Sequence, residues 1–202
     1  MNTEFIVHIV DDDEAVRQSV SFLLSASGYA SRTHVSAAAF SAISSELQNA
    51  CLLTDLRMPD MDGIELLRSL RARGNMMPVI IVTGHGDVQA AVEAMKAGAS
   101  DFIEKPFSDD VLLTTIAGVC LDAEGSLRQQ RKRQETVEKI GSLSHRERQV
   151  LDGVVDGQSN KVIAQNLGLS PRTVEVYRAT IMTKMNAHNL AELVRAVVNL
   201  NG

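Results

Sequence analysis

The sequence predicts a protein of two parts: a doubly wound α/β domain with five parallel strands, followed by an all-helical domain. Short apolar runs alternate with amphipathic stretches up to about residue 121, and from residue 139 only helical spacing remains. Charge divides the chain in the same way, because residues 1–124 carry 18 acidic and 8 basic side chains and residues 125–202 carry 7 and 12. An acidic part joined to a basic part indicates two different tasks.

The first domain is predicted to contain five strands and five helices. A continuous apolar run such as residues 79–82 is typical of a strand that helices cover on both faces. In the flavodoxin-like strand order 2-1-3-4-5, the first and third strands are neighbours and their carboxyl ends border the ligand crevice. The predicted strands are residues 5–10, 30–34, 51–54, 79–82 and 102–103, and the predicted helices are residues 14–27, 36–47, 63–73, 87–97 and 108–121.

A polar, highly charged segment, residues 124–138, indicates a linker that is helical in part. The predicted domains are therefore residues 1–123 and 139–202. In the second domain, Ser144 and Glu147 form a capping-box pattern that predicts the start of a helix. Three more helices are predicted over residues 160–166, from Pro171 and from residue 189. The short turn at Gly168 between two of them predicts a helix-turn-helix.

Acidic side chains end two of the predicted strands. Asp11 and Asp12 follow the first strand, and Asp55 follows the third. Because neighbouring parallel strands end at the same edge of a sheet, we expect these three carboxylates to converge in one crevice. Such a cluster is costly unless a divalent cation neutralises it, and its oxygen ligands suit Mg²⁺, with Mn²⁺ as an alternative.

Two further side chains are predicted at the same edge. Thr83 ends the fourth strand, and Lys105 follows the fifth. Phosphoryl transfer requires a nucleophile, a cation and donors for the charge of the transferred group. Asp55 is therefore the candidate nucleophile, and Thr83 and Lys105 are the candidate contacts of the phosphoryl oxygens. The other nearby acids are interpreted as helix caps or turn formers: Asp13, Asp60 and Asp62.

Four motifs within residues 1–124 resemble the signatures of two-component receiver domains. They are Val10-Asp11-Asp12, the run DLRMPDMDG from Asp55 to Gly63, Val82-Thr83-Gly84 and Lys105-Pro106-Phe107. The resemblance implies that a sensor histidine kinase phosphorylates Asp55. It also implies that Mg²⁺ binds Asp12, Asp55 and the backbone carbonyl of Arg57, with Asp11 acting through water.

The same resemblance implies a conformational response. Thr83 would move toward the phosphoryl group, Phe102 would turn inward, and the peptide bond before Pro106 would be cis. The surface formed by residues 87–97, 102–104 and 108–121 would then become a dimerisation face.

Residues 139–202 resemble a LuxR-type DNA-binding domain, through the patterns LSxRExxVL from Leu143, NKxIA from Asn160 and LSPRTV from Leu169. The resemblance implies that the third helix of this domain lies in the major groove. Val176 suits a thymine methyl group and Glu175 a cytosine amino group, whereas basic side chains suit phosphates. The predicted DNA contacts are Lys161, Arg172, Thr173, Glu175, Val176, Tyr177, Arg178, Ala179 and Lys184, and the predicted core positions are Val174 and Ile181.

The two modules together resemble DNA-binding response regulators of the NarL/FixJ class. The strings DDDEAVR, LTDLRMP and VTGHGD are similar to the FixJ branch of that class. This resemblance implies a transcriptional activator of nitrogen-fixation or low-oxygen genes that is a homodimer when phosphorylated. Its implied partners are a sensor histidine kinase, promoter DNA and RNA polymerase. A regulator of the same class that serves another stimulus is the alternative.

Other protein classes fit the sequence less well. No apolar run approaches the roughly 20 residues of a bilayer span and no signal peptide is recognised, so we expect a cytoplasmic protein without membrane contact. Cys51 and Cys120 are expected to be buried reduced thiols. A phosphatase of the haloacid dehalogenase type needs a second acid two residues after its nucleophile, where this chain has Arg57. An adaptor without a DNA role would leave the basic second part unexplained, and we expect no enzyme.

Overall fold

Five parallel strands form one sheet in the order β2-β1-β3-β4-β5, as the sequence predicts. The computed structural model describes residues 5–84 and 88–201. Its strands are β1 (Ile6–Val10), β2 (Ala30–His34), β3 (Ala50–Asp55), β4 (Val79–Thr83) and β5 (Asp101–Glu104). Every residue of β4 is buried, and so are all residues of β3 except Asp55. The last residues of these two inner strands, Asp55 and Thr83, are polar and lie at their carboxyl ends.

The chain divides into two compact units, Met1–Gly125 and Ser126–Gly202. The helices that begin in the first unit are α1 (Glu14–Ala26), α2 (Ala37–Ser41), α3 (Gly63–Ala72), α4 (Val88–Lys96) and α5 (Asp109–Gly141). Apolar side chains cover both faces of the sheet in two separate clusters. The first residue of the predicted fourth helix, Asp87, lies outside the described residues.

Two predicted helices differ from the observed ones. The helix expected over residues 36–47 ends at Ser41, and turns follow it. Ser44 donates its hydroxyl to the Ser41 carbonyl at 2.9 Å, and such local bonds compete with the helical ones. Conversely, α5 continues to Gly141 through the expected linker. Arginine, glutamine, lysine and glutamate are good helix formers, so the loss of an apolar pattern did not end this helix.

Four helices follow in the second unit: α6 (His145–Val155), α7 (Asn160–Leu167), α8 (Pro171–Met185) and α9 (Leu190–Asn201). They share their own apolar cluster, in which Val174 and Ile181 are fully buried as predicted. Gly168 ends α7 in the left-handed conformation with φ +66°, and Ser170 caps α8 with Pro171 at its first position. The helix-turn-helix prediction is thus confirmed in its geometry.

Two histidines on the neighbouring strands β1 and β2 contact each other. His8 is fully buried, and its Nδ1 is 2.9 Å from Nε2 of His34. The edge of Phe40 packs against both rings. Burial, then His34 and Arg32, lower the pKa of His8 from 6.5 to about 4, and burial and Arg32 also lower the pKa of His34. The sequence analysis did not identify this pair.

No helix in the described parts of the chain is both long enough and apolar enough to cross a bilayer.

Candidate functional site

Two of the predicted carboxylates meet at the ammonium group of Lys105. Lys105 Nζ lies 2.6 Å from Asp55 Oδ1 and 3.0 Å from Asp11 Oδ2. The side chains are 27% exposed for Lys105, 12% for Asp55 and 7% for Asp11, so the group is largely shielded but still in contact with water. One positive charge faces two negative ones, and the cluster keeps an excess of negative charge.

Backbone amides hold the remaining oxygens of both carboxylates. Asp13 N–H donates to Asp11 Oδ1 at 2.9 Å, and Arg57 N–H donates to Asp55 Oδ2 at 2.8 Å. Each carboxylate is therefore bound at both oxygens and has a fixed orientation, which is the preorganisation that an in-line reaction needs.

Burial lowers the pKa of Lys105, but its hydrogen bonds to Asp55 and Asp11 outweigh that effect, and its pKa lies above the ordinary value. Lys105 therefore stays charged over the neutral range. Its ammonium is a permanent hydrogen-bond donor beside the Asp55 carboxylate.

Asp12 does not join Asp11 and Asp55. Its side chain is exposed, and the described residues contain no group of three acidic, histidine or cysteine side chains close enough to hold a metal ion. Asp11 and Asp55 meet at Lys105 while Asp12 is exposed beside them, so the expected convergence of three carboxylates is not seen in this conformation and the metal site remains a prediction. Two carboxylates still suffice for Mg²⁺, which usually binds one or two and keeps several waters.

Arg17 is a site residue that the sequence analysis missed. It is 9% exposed, and its Nη1 donates to the backbone carbonyls of Asp11 at 2.8 Å and Asp12 at 3.0 Å. The guanidinium thereby holds the loop that carries both aspartates. An arginine on the buried face of a predicted amphipathic helix was the signal that could have identified it.

Gly63 adjoins the site for a steric reason. A Cβ atom at this position would lie 2.4 Å from the backbone oxygen of Asp55, and the Gly63 N–H donates to the Leu56 carbonyl at 2.9 Å. The first turn of α3 therefore packs directly on the backbone behind Asp55. Only a residue without a side chain allows this approach.

Thr83 and Phe102 lie on the same face of the sheet. Phe102 is opposite Ile81 in the β4–β5 register, and Ile81 precedes Thr83 by two residues. Thr83 is 1% exposed, whereas Phe102 is half-buried against the apolar cluster of that face. The Lys105–Pro106 peptide bond is cis. A Cβ on Gly84 would meet no atom within 4 Å.

The other acids near the crevice are structural, as the sequence predicts. Asp13 caps α1 by accepting from the Ala15 N–H at 2.8 Å. Asp62 caps α3 in a capping box with Glu65. Asp60 adopts φ 72° in the turn between β3 and α3.

Helix α8 presents a mixed surface of charged and apolar side chains. Its exposed positions include Arg172, Glu175, Val176 and Ala179, and Val176 is 59% exposed. Arg172 and Glu175 form an ion pair at 3.6 Å along the helix. Lys161, on the preceding helix α7, is also exposed. These five residues agree with an outward-facing recognition surface.

The remaining predicted DNA contacts are engaged within the second unit. Lys184 Nζ lies 2.8 Å from Oε2 of the buried Glu147, which is a structural ion pair. Thr173 shares a 2.8 Å hydrogen bond with the capping hydroxyl of Ser170, and Tyr177 packs against the apolar cluster. Arg178 Nη1 donates to Asn160 Oδ1 at 2.7 Å. About half of the predicted DNA contacts are thus exposed, and the others have partners within the second unit.

Two family models match the chain. Residues 7–117 match the response regulator receiver domain, and residues 141–197 match the bacterial regulatory proteins of the luxR family. The transcriptional regulatory protein FixJ of Azorhizobium caulinodans is 53% identical over 94% of this chain and 90% of its own length. The C4-dicarboxylate transport transcriptional regulatory protein DctR of Rhodobacter capsulatus is 42% identical over 95% and 98%. A crystal structure of full-length FixJ from B. japonicum is 45% identical, covers 98% of each chain and has a TM-score of 0.63.

Proposed function

We propose that Asp55 is the phosphoryl acceptor through which a sensor histidine kinase controls DNA binding. The chain belongs to the DNA-binding two-component response regulators with a LuxR-type helix-turn-helix. The observation that carries this proposal is the fixed Asp55 carboxylate, held between Lys105 Nζ at 2.6 Å and the Arg57 N–H at 2.8 Å. A carboxylate so fixed at the open edge of a sheet is accessible to a phosphorylated side chain of another protein.

Asp55 attacks phosphorus through a carboxylate oxygen in this scheme. The bond from phosphorus to the kinase imidazole nitrogen breaks, and its electron pair stays on that nitrogen. Lys105 keeps its proton and donates a hydrogen bond to a phosphoryl oxygen, because its pKa lies above the ordinary value. Thr83, at the end of the neighbouring strand β4, donates its hydroxyl to another oxygen.

The residues present fit a magnesium ion. Asp55, Asp12 and the Arg57 carbonyl would hold it, Asp11 would act through water, and the ion would neutralise the charge of the transferred group. Asp12 is exposed and adjoins Asp11 in the chain, which leaves its carboxylate room to turn toward the ion. Arg17 would keep the backbone of this loop in place through its hydrogen bonds to the Asp11 and Asp12 carbonyls.

A homodimer is proposed for the phosphorylated protein, formed through the face that contains α4. Val88, Val92 and Met95 follow one another at helical spacing on α4 and are 77%, 47% and 50% exposed. Apolar side chains in one such stripe favour association. Thr83 and Phe102, on the same sheet face as α4, would couple phosphorylation of Asp55 to this stripe. Dimerisation doubles the number of recognition helices available to adjacent half-sites.

The target genes are proposed from the relatives. FixJ proteins at about half identity over nearly the full chain support a transcriptional regulator. Nitrogen-fixation or low-oxygen genes as its targets, activation as its effect and RNA polymerase as its partner are proposed from the motif resemblance. DctR, whose name records C4-dicarboxylate transport, favours the alternative of another stimulus for the same class of regulator. Footprinting on fragments of the source genome, with and without acetyl phosphate and Mg²⁺, distinguishes the two.

Asp55→Asn tests the central claim. Intact-mass spectrometry after treatment with acetyl phosphate and Mg²⁺ should detect one phosphoryl group on the wild type and none on the variant. Sedimentation and DNA binding should respond to acetyl phosphate in the wild type alone. Asp60→Asn is the matched control, because Asp60 lies in a nearby turn at φ 72°, a conformation that asparagine tolerates. The proposal is wrong if Asp55→Asn dimerises and binds DNA as well as the phosphorylated wild type.

A further inference from the structure

One hydrogen bond joins the two helices of the helix-turn-helix at their polar margin. Arg178 Nη1 on α8 donates to Asn160 Oδ1, the first residue of α7, at 2.7 Å. The two residues are 18 positions apart in the chain, and both are half-buried. The charge of Arg178 is balanced by no carboxylate in this contact, since an amide oxygen accepts the bond. The contact therefore fixes a cation without neutralising it.

The position of Arg178 on α8 places that cation beside the recognition surface. It follows Glu175 by three residues and immediately precedes Ala179, and both of these are exposed. Residues three apart on a helix are neighbours on its surface. On its other side, Arg178 lines a cavity of about 220 Å³ whose remaining walls are apolar: Val154, Ile181, Met182, Leu190 and Leu193.

The hydrogen bond to Asn160 and the apolar cavity involve different parts of the Arg178 side chain. The aliphatic stem of an arginine packs against apolar surface while its charged head remains near water. Asn160 uses one of the five donors of the guanidinium, and four remain for another acceptor. A free arginine side chain loses about 2 kcal/mol of rotamer entropy when it is fixed, and a side chain that is already fixed avoids most of that loss on binding.

We propose that Asn160 is a positioning residue for DNA binding, which holds the Arg178 guanidinium where it meets a phosphate of the DNA backbone at the edge of the groove that α8 enters. This inference rests on α8 being the recognition helix. It extends the proposed function by adding a residue on α7 that sets the reach of a phosphate contact on α8. The class of ligand is a backbone phosphodiester, so the contact orients α8 and does not select bases.

Salt dependence of binding separates a phosphate contact from a purely internal one. Each neutralised phosphate contributes about 0.9 to the slope of log affinity against log salt. Full-length Arg178→Ala, bound to a short mixed-sequence DNA duplex between about 50 and 200 mM salt, should lose about 0.9 from that slope. An unchanged slope overturns the inference.

A double-mutant cycle tests the role of Asn160. Asn160→Ala should weaken binding by about tenfold in the wild-type background and have little effect in the Arg178→Ala background, because its role is exercised through Arg178. Arg178→Lys should keep the salt slope but reduce the effect of Asn160→Ala, since lysine lacks the planar fork. Equal losses from Asn160→Ala in both backgrounds overturn the positioning role.

Asn166→Ala is the matched control. Asn166 lies on the same helix, is exposed and has its own side-chain hydrogen bond, to Gln158 Oε1 at 3.2 Å. It should bind DNA as the wild type does. Thermal unfolding of every variant identifies any loss of fold. If the wild type binds no duplex, with or without acetyl phosphate, the proposed function fails. If the wild type binds and Arg178→Ala leaves the salt slope unchanged, only this inference is overturned.

Discussion

The two units each contain a lysine paired with a shielded carboxylate, and the two pairs differ in stoichiometry. In the first unit Lys105 lies between two carboxylates, at 2.6 Å from Asp55 and 3.0 Å from Asp11. In the second unit Lys184 lies 2.8 Å from the single carboxylate of Glu147. The first cluster keeps an excess negative charge, whereas the second is neutral.

The two carboxylates also differ in their surroundings. Glu147 Oε2 also accepts from the Ser144 N–H at 2.6 Å, so this carboxylate caps α6 while it joins α6 to α8. The hydrogen bond to Lys184, followed by those from Ser144, lowers the pKa of Glu147. Asp55 instead lies at the end of a strand, beside a turn and the open crevice. The neutral pair of Lys184 and Glu147 therefore joins two helices, whereas the cluster at Lys105 keeps a negative charge at an open crevice, where a cation or a phosphoryl group could bind.

Removal of each lysine should give the largest contrast. Lys105→Met removes a donor to the transferred group, and we expect phosphorylation by acetyl phosphate to become about a hundredfold slower. Lys184→Met leaves Glu147 without its cation, and we expect a lower unfolding temperature of the second unit with phosphorylation unchanged. Calorimetry with and without Mg²⁺ and a phosphorylation time course measure both. If Lys105→Met and Lys184→Met change the unfolding temperature and the phosphorylation rate to the same extent, the two lysines do not differ in role.

Steric substitution at two glycines should give the next effect. A Cβ on Gly63 would lie 2.4 Å from the Asp55 backbone oxygen, whereas a Cβ on Gly153 would lie 2.8 Å from Cγ1 of the Ile163 side chain, and a side chain can shift further than the backbone. We expect Gly63→Ala to lower the free energy of unfolding by about 3 kcal/mol and Gly153→Ala by about 1 kcal/mol. Urea unfolding followed by circular dichroism measures the difference. Equal losses would show that backbone and side-chain obstacles cost the same here.

Acid should destabilise the first unit through the buried His8 and its half-buried neighbour His34. The pKa of His8 is lowered from 6.5 to about 4, so the unfolded chain binds a proton that the folded one does not. Stability is therefore complete above pH 6.5 and falls as the pH drops toward 4. We expect the free energy of unfolding to fall by about 2 kcal/mol. This is less than the lowered pKa of His8 alone would give, because its partner His34 is only half-buried.

His8→Leu should remove the larger part of this acid dependence, because burial and Arg32 still lower the pKa of His34. His145→Leu, at an exposed position of the second unit, should retain all of it. Urea unfolding at a series of pH values between 7 and 4 provides the measurement. The same slope against pH in His8→Leu as in the wild type would contradict the assignment to His8.

Gly84→Ala should have the smallest effect. A Cβ at Gly84 meets no atom within 4 Å, so the fold should not change, but the methyl group would stand beside the phosphoryl site. We expect dephosphorylation of Asp55 to slow by less than about tenfold, or about 1.4 kcal/mol in barrier, because water reaches the acyl phosphate less easily. Gly118→Ala on α5 is the control, since it also meets open space. Unchanged decay in Gly84→Ala would show that this position does not limit access.

The sequence alone determined the fold class, the strand order and the edge at which the polar residues gather. Short apolar runs and helical apolar spacing are local properties, and the carboxyl ends of parallel strands meet by topology. Asp55, Thr83 and Lys105 could therefore be assigned to one edge. Capping by Asp13, Asp62 and Ser144 was equally local, because each cap bonds a residue two or three positions away.

The tertiary structure alone decided which polar groups pair. Arg17 with the Asp11 carbonyl, His8 with His34, Lys184 with Glu147 and Arg178 with Asn160 are separated by 6 to 37 residues, and no local pattern links them. It also decided that Asp12 stays exposed and that Tyr177 packs inward. A polar side chain exchanges water for the partner that the packing of distant elements brings within about 3 Å. Sequence periodicity predicts which face of an element a residue occupies, but it does not predict that partner.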